Sequence, residues 1–491
     1  GTEGAAGVIT PTGLATDKTT APFFADTLRA KRLLAFYDFE NEAKIFPGVD
    51  HRVRFAITAL SGTRWQAEAT PFAFLSRYVE DVPERRFELT ADEVLALNPN
   101  TGTLPMFRTR ADAEITLGVY RRQPVLIRDD GGQNPWGLTF CRLFDMANDS
   151  GLFHQPEGLA DAVFDGWSYR RDTDEYLPLY EAKMLGHFDH RFSTYRDATQ
   201  AQLNVGALPR PTADQHDDPD MEPLARYWVA RPAVTRALAG TGSKRDQLPG
   251  RDRPRDRDIP QGALAGRWDR GWLLGWRDIA RSSDMRTFVP SVLPTSAVGH
   301  KFPLAFPADP AHGPLLQAVW SSLTFDYVAR QKISGTGMTY FIVKQLACPT
   351  PATFAEPAPW QPDRSLADWV IPYVLELSYT SWRLRPYAQE MGDAGPPFRW
   401  DPERRALLRA DLDAAFLHVY GLTRPEAEHV LDSFFVVRKY EERDHGEYRT
   451  RRLILDAYDR MAAAMTAGAT WAPLAETPSG HGPRHPARPA P

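Results

Sequence analysis

The sequence predicts a mixed α/β protein, and three observations carry that prediction. Leu34 to Leu60 reads as a strand, a Phe-Pro turn and a second strand, with β-branched and aromatic residues on either side of Ile45-Phe46-Pro47-Gly48. Thirteen Trp and 42 Pro suit loop-rich domains with aromatic surfaces better than a helical bundle. From about residue 360 to residue 466 the apolar spacing becomes helical. The 491 residues allow two to four domains, and 43% hydrophobic with 25% charged residues is an ordinary globular composition.

Composition also narrows the functional classes. The formal net charge is -5, so any nucleic-acid-binding face must be a local patch. Two cysteines, Cys141 and Cys348, cannot build a disulfide framework or a four-ligand zinc site, and a reducing cytoplasmic setting is expected. No run of about eighteen apolar residues offers a membrane span. No basic and apolar leader pattern precedes the first strand-like run, Gly7 to Thr10. Because the chain opens with Gly1 and enters a strand almost at once, it is expected to be a piece of a longer protein.

In chain order, Gly7 to Thr10 reads as a strand ending in a Pro-Thr-Gly turn. A helix through Phe23, Phe24, Thr27 and Leu28 follows, and then the strands Leu33–Phe39 and Val53–Leu60. Thr90 with Glu93 three residues on is a capping-box pattern for a helix over Ala91–Leu97, and a second helix is expected from Arg110. Residues 136–195 mix aromatics with short strands. Residues 196–262 lack apolar periodicity and read as a loop insertion. Residues 315–332 read as one amphipathic helix. Residues 472–491, rich in Pro, Gly and His, read as a disordered tail. No internal repeat is present.

Enzyme motifs are scarce. There is no GxGxxG, Walker, GxSxG or HExxH sequence, and Gly240-Thr241-Gly242 and Gly335-Thr336-Gly337 are isolated glycine turns. Glu181 and Lys183, with Asp172 and Asp174 upstream, have the residue types of a metal-dependent nuclease, but the spacing is loose. Lys183, His187, His190 and Arg191 suit phosphate or base contact better, and the His187, Asp189, His190 set is a weak metal signal. Residues 267–345 hold nine Lys and Arg against five Asp and Glu, in contrast to the acidic whole. There Trp272 and Trp276 interleave with Arg277, Arg281 and Arg286, followed by Lys301, Arg330 and Lys332. Guanidinium forks suit phosphates and guanine edges, so these residues are candidate DNA contacts. Gly395-Pro396-Pro397-Phe398 lacks a polar first residue and reads as a turn before a helix near Asp401.

Several stretches together resemble a known family. They are residues 11–24, 37–57 (YDFENEAKIFPGVDHRVRFAI), 98–116, 176–192 (YLPLYEAKMLGHFDHRF), 273–294, 325–336, and 412–424 with 446–459. In this order they resemble the C-terminal half of large adenine-specific DNA methyltransferases of restriction-modification and phage-defence systems, the type IIG-like and DISARM-like enzymes. The resemblance implies a Rossmann-like domain that binds S-adenosylmethionine, followed by a target recognition domain that binds double-stranded DNA, with other defence-system subunits as further partners. It implies that Phe46, in its Phe46-Pro47 turn, packs against an adenine flipped from the duplex, because a paired N6 amine cannot reach a methyl donor.

The glycine-rich cofactor motif and the Asn-Pro-Pro-aromatic motif of that family are missing from these residues. The chain is therefore expected to carry the tail end of a Rossmann-like sheet (1–62), a helical connector (63–135), an α+β target recognition domain (136–350) and a helical C-terminal domain (360–470). No catalytic residue is expected on it, and alone it is expected to be inactive. A non-catalytic DNA-specificity module and a restriction endonuclease are the alternative readings.

Overall fold

A computed structural model describes residues 2–51, 53–239, 268–333, 335–468 and 470–488. The fold is mixed α/β, with several sheets and a helical C-terminal region. Contacts divide the chain into two units. The first comprises Gly1–Asn134, Tyr327–Pro349 and Tyr420–Glu426; the second comprises Pro135–Asp326, Thr350–Val419 and Ala427–Pro491.

The first unit is built on one five-stranded sheet. β1 (Ala5–Pro11), β2 (Leu33–Glu40), β3 (Arg54–Ser61), β4 (Thr70–Ser76) and β5 (Phe87–Leu89) lie in the order β1-β3-β2-β4-β5. β3 runs antiparallel to both β1 and β2, while β2 and β4 are parallel, with Phe36 beside Phe72. β1 is an edge strand, and its Val8 and Ile9 are 41% and 61% exposed. The core is an aromatic run. Phe36 and Phe72 flank Phe74, which meets Phe87 at 5.9 Å, and Phe87 in turn meets Phe107 at 5.9 Å. The helices Ala21–Arg29 and Ala91–Leu97 contribute Phe24, Leu28, Val94 and Leu97 to it. Both expected helices open on capping boxes. Glu93 N donates to Thr90 Oγ1 at 3.2 Å, and Asp112 N donates to Thr109 Oγ1 at 3.1 Å at the start of helix Arg110–Arg122.

Two sequence expectations change here. Residues 63–135 are not simply a helical connector, because β4 and β5 extend the sheet past Ser61. β4 is buried on both faces, so it shows a short apolar run with no alternation to mark a strand. The stretch from Tyr327 to Pro349 packs in the first unit and not with 136–326. Tyr327 donates to Asp112 Oδ1 at 2.7 Å, and Val125 bridges Ala347. These are pairings across more than 200 residues, which local pattern does not reveal.

Among the described residues, the second unit holds two larger sheets and a two-stranded ribbon, Pro357–Ala358 with Gln361–Ser365. In one, β7 (Val163–Phe164), β8 (Tyr169–Arg171), β9 (Asp174–Tyr180) and β10 (Trp228–Ala230) are antiparallel, and β13 (Ala297–Val298) joins β9 in parallel. In the other, β11 (Trp272–Trp276) lies between β12 (Pro290–Pro294) and β14 (Leu304–Phe306), with β6 (Thr139–Cys141) beyond β14. Every residue of β11 and β12 is buried, so Trp272 and Trp276 are core residues. The expected single helix over 315–332 is two helices, Gly313–Ser321 and Leu323–Lys332. The first is buried on all sides and not amphipathic. In the helical region, Pro402–Val419 and Arg449–Ala467 pack side by side, with His418 stacked on Tyr458 at 3.9 Å.

The tail and the expected loop insertion are also more structured than their composition suggests. Up to residue 488 the tail is tied down. Trp471 packs on Trp369, Gly480 N donates to Glu376 Oε2 at 2.8 Å, and Arg484 lies 3.6 Å from the Phe398 ring centre. Polar tail residues find partners on the helices instead of water, and composition alone cannot report that. Residues 196–239 contain the helices Gln200–Asn204, Ala213–Asp217 and Arg231–Leu238 together with β10. The remainder of the expected insertion, 240–262, including Gly240 to Gly242, lies outside the described residues.

Candidate nucleic-acid interface

After β9 the chain makes a tight reversal. Gly186 N donates to Asp189 O at 2.7 Å and Asp189 N returns to Gly186 O at 3.1 Å, with Phe188 in the left-handed region at φ 55°. A Cβ on Gly186 would sit 2.6 Å from the Phe192 ring, so only glycine lets the ring close over the turn. Thr194 then ties in two further segments. Its N–H donates to Pro209 O at 3.1 Å, and its Oγ1 accepts from Leu224 N at 2.9 Å.

This framework gathers cations around aromatic rings. The Arg210 and Arg277 guanidiniums lie 4.4 and 4.9 Å from the centre of Phe192. Arg277 Nε donates to Leu185 O at 2.8 Å. Its pKa is pushed down to about 10, first by burial and then by the like charge of Arg210. Lys183 Nζ is 5.0 Å from the Tyr195 ring, and Arg226 is 5.3 Å from the Tyr227 ring. Glu181 is the carboxylate here. It pairs with Lys183 at 3.3 Å and accepts from the Tyr195 hydroxyl, whose pKa is raised by burial and by that bond. Arg210 and Arg226 are exposed and have no carboxylate partner among the described residues. Two guanidiniums over one ring repel each other, and an anion arriving between them relieves that repulsion.

Only part of the sequence-derived set meets here. Lys183 and Arg277 do. His190 and Arg191 are buried, which corrects their reading as DNA contacts: His190 Nε2 is 3.1 Å from Glu222, and Arg191 is spent on backbone carbonyls. Arg286 binds Asp326 at 2.7 Å, Arg330 is buried, and Lys332 Nζ donates to Asn98 Oδ1 and to Gln345 O, so these three are internal cations and not DNA contacts. Burial makes the difference, since a charge out of water needs fixed partners and keeps them. His187 faces a small cavity in the second unit. Arg281 is exposed, and Lys301 pairs with the buried Asp278 at 3.3 Å. Sequence reading missed Phe192, Tyr195, Arg210 and Arg226. The interleaving of aromatic and basic residues across 192–227 is the signal that could have found them.

In the first unit, Phe46 stands on a loop organised by the buried Asn41. The Asn41 side chain accepts from Phe46 N at 3.0 Å and donates to Phe46 O and Val49 O at 3.1 and 3.0 Å. Phe46 meets Phe55 edge-on at 4.8 Å and is half-buried, while Pro47 is exposed. Ile45 and Val49 beside it are exposed too. Among the described residues, no three His, Cys, Asp or Glu converge as a metal site, and no helix is long and apolar enough to cross a membrane.

No family model and no curated protein matches the chain. Among solved structures, it is similar to the type IIL restriction-modification enzyme MmeI in complex with DNA, at 10% identity and a TM-score of 0.40. That match covers 94% of this chain and 50% of the other. It is also similar to the type IIG restriction endonuclease BpuSI, at 11% identity and a TM-score of 0.27, covering 86% and 47%. The chain thus spans about half the length of the solved structures it matches.

Proposed function

We propose that this chain is the DNA-recognition portion of a site-specific adenine-N6 DNA methyltransferase that uses S-adenosylmethionine within a restriction-modification or phage-defence system. The observation that carries the reading is the Phe192 surface. Exposed, carboxylate-free arginines beside aromatic rings are what a phosphate backbone and its bases bind. The family resemblance of residues 11–24 through 446–459 supports the finer part. So does β1: an open edge with Val8 and Ile9 outside is the edge on which further strands of a catalytic sheet would pair.

In this reading double-stranded DNA is the partner, and other subunits of the system are further ones. Phe46, held by Asn41 with its ring partly open, packs against the extruded adenine, with Pro47 stiffening the turn. No residue of this chain is assigned to the cofactor or to methyl transfer, and the chain alone is inactive. The setting is the cytoplasm.

Salt dependence of DNA binding tests the surface. Arg210→Gln and Arg226→Gln each reduce the slope of log affinity against log salt by about 1, and the pair weakens binding by roughly a hundredfold at low salt. An unchanged slope in the double variant overturns the reading. In the intact methyltransferase, Phe46→Ala lowers the fluorescence change of a base analogue at the target position while DNA affinity holds. Wild-type fluorescence from that variant removes Phe46 from the base-holding role.

A further inference from the structure

We propose that the second unit contains a binding pocket for a phosphate-type oxyanion, formed by His187, Arg409 and Ser321 beside Arg286. A cavity of about 30 Å³ is lined by His187, Phe188, Arg286, Ser321, Arg409 and Asp413. One water needs roughly 10–15 Å³ of such space, so the cavity has room for one tetrahedral oxyanion in place of about two waters.

His187 sits at the tip of the Gly186–Asp189 reversal, and both its ring nitrogens are sealed from solvent with no hydrogen-bond partner. Ser321 Oγ, at the end of helix Gly313–Ser321, is sealed and unpartnered too. Buried polar atoms are normally satisfied, so several at one cavity point to a ligand that satisfies them together. Arg409, on helix Pro402–Val419, brings its guanidinium to the wall with no carboxylate or carbonyl bonded to it among the described residues.

The charges favour an anion. Arg286 is committed to Asp326 at 2.7 Å and to Ser321 O at 2.5 Å, yet it still adds positive potential. Asp413 is the carboxylate on the wall. It accepts Leu323 N at 2.7 Å, and burial raises its pKa to about 6. One such carboxylate against two guanidiniums does not make a cation site. Burial and the charges of Arg286, Arg277 and Arg409 hold the His187 imidazole neutral, so it offers one N–H to the oxyanion. The Arg409 fork and the Ser321 hydroxyl supply the remaining donors.

The pocket does not depend on the DNA-recognition reading. Inorganic phosphate titrated into the whole chain, against chloride at equal ionic strength, should give saturable one-to-one heat and shift the His187 imidazole nitrogen resonances. Arg409→Gln, at an exposed residue, should lower phosphate affinity at least tenfold without lowering Tm, and His187→Gln should do the same in affinity. Wild-type heat no larger than that of chloride, or wild-type phosphate affinity in both variants, overturns the site. A short DNA duplex that displaces phosphate marks the backbone phosphate as the natural source, and a duplex that binds alongside phosphate marks a free anion. Arg210→Gln should lose DNA affinity while keeping phosphate binding, so either reading can fail without the other.

Discussion

Arg191→Ala should destabilise the second unit by about 4 kcal/mol, one of the largest effects of any single substitution here. The guanidinium is fully buried. Nη1 donates to Asp218 O at 2.8 Å and Met221 O at 3.1 Å, and Nη2 donates to His216 O at 2.6 Å and Thr380 O at 3.1 Å. It thereby joins three separate segments of chain. Truncation strands the buried His216 and Thr380 carbonyls, each costing about 1–3 kcal/mol before relaxation, removes the donor from two part-buried ones, and leaves a cavity as well. Arg191→Lys should recover little, because an ammonium cannot reproduce the planar fork. Urea unfolding followed by tryptophan fluorescence measures the loss. A change below about 1 kcal/mol, together with a smaller salt slope for DNA binding, would return Arg191 to the surface role that its sequence neighbourhood suggested.

Asp411→Asn should stabilise the protein at pH 8 and flatten its stability between pH 5 and 8. Asp411 is buried on helix Pro402–Val419, where Tyr373 donates to Oδ2 at 3.2 Å and Leu474 N donates to Oδ1 at 3.4 Å. Burial, its largest influence, raises its pKa to about 7. The folded state therefore holds a proton that the unfolded chain has already released. Stability is greatest below the ordinary aspartate range and falls as pH rises through the folded value. The full penalty above pH 7 is roughly 4 kcal/mol, because each pH step between the unfolded and folded values costs about 1.4 kcal/mol. Asp413, raised to about 6, acts in the same direction and leaves a smaller residual slope in the variant. Urea midpoints at pH 5, 6.5 and 8 read this out, and a flat wild-type profile over that range would contradict it.

Local chemistry was legible where neighbours in sequence are neighbours in space. Thr90 with Glu93 closes the capping box that its spacing announces. The strand, Phe-Pro turn and strand around Phe46 form as β2 and β3. β4 was not legible, because a strand buried on both faces loses the period that identifies it. The basic stretch 267–345 was visible as composition, but composition does not say where each arginine points. Arg281 and Arg286 are five residues apart, yet Arg281 is exposed while Arg286 is bound to Asp326, forty residues on.

By itself, the sequence determined the α/β class, the helix capped by Thr90 and the Phe46 turn, because each depends on spacing within a few residues. Only the tertiary structure decided which cations meet water. It placed Arg210 and Arg277 on one ring, buried Arg191 among carbonyls and left His187 facing a cavity. The reason is physical: whether a charge serves the fold or a ligand depends on burial and on partners brought from distant segments, and no local pattern encodes them.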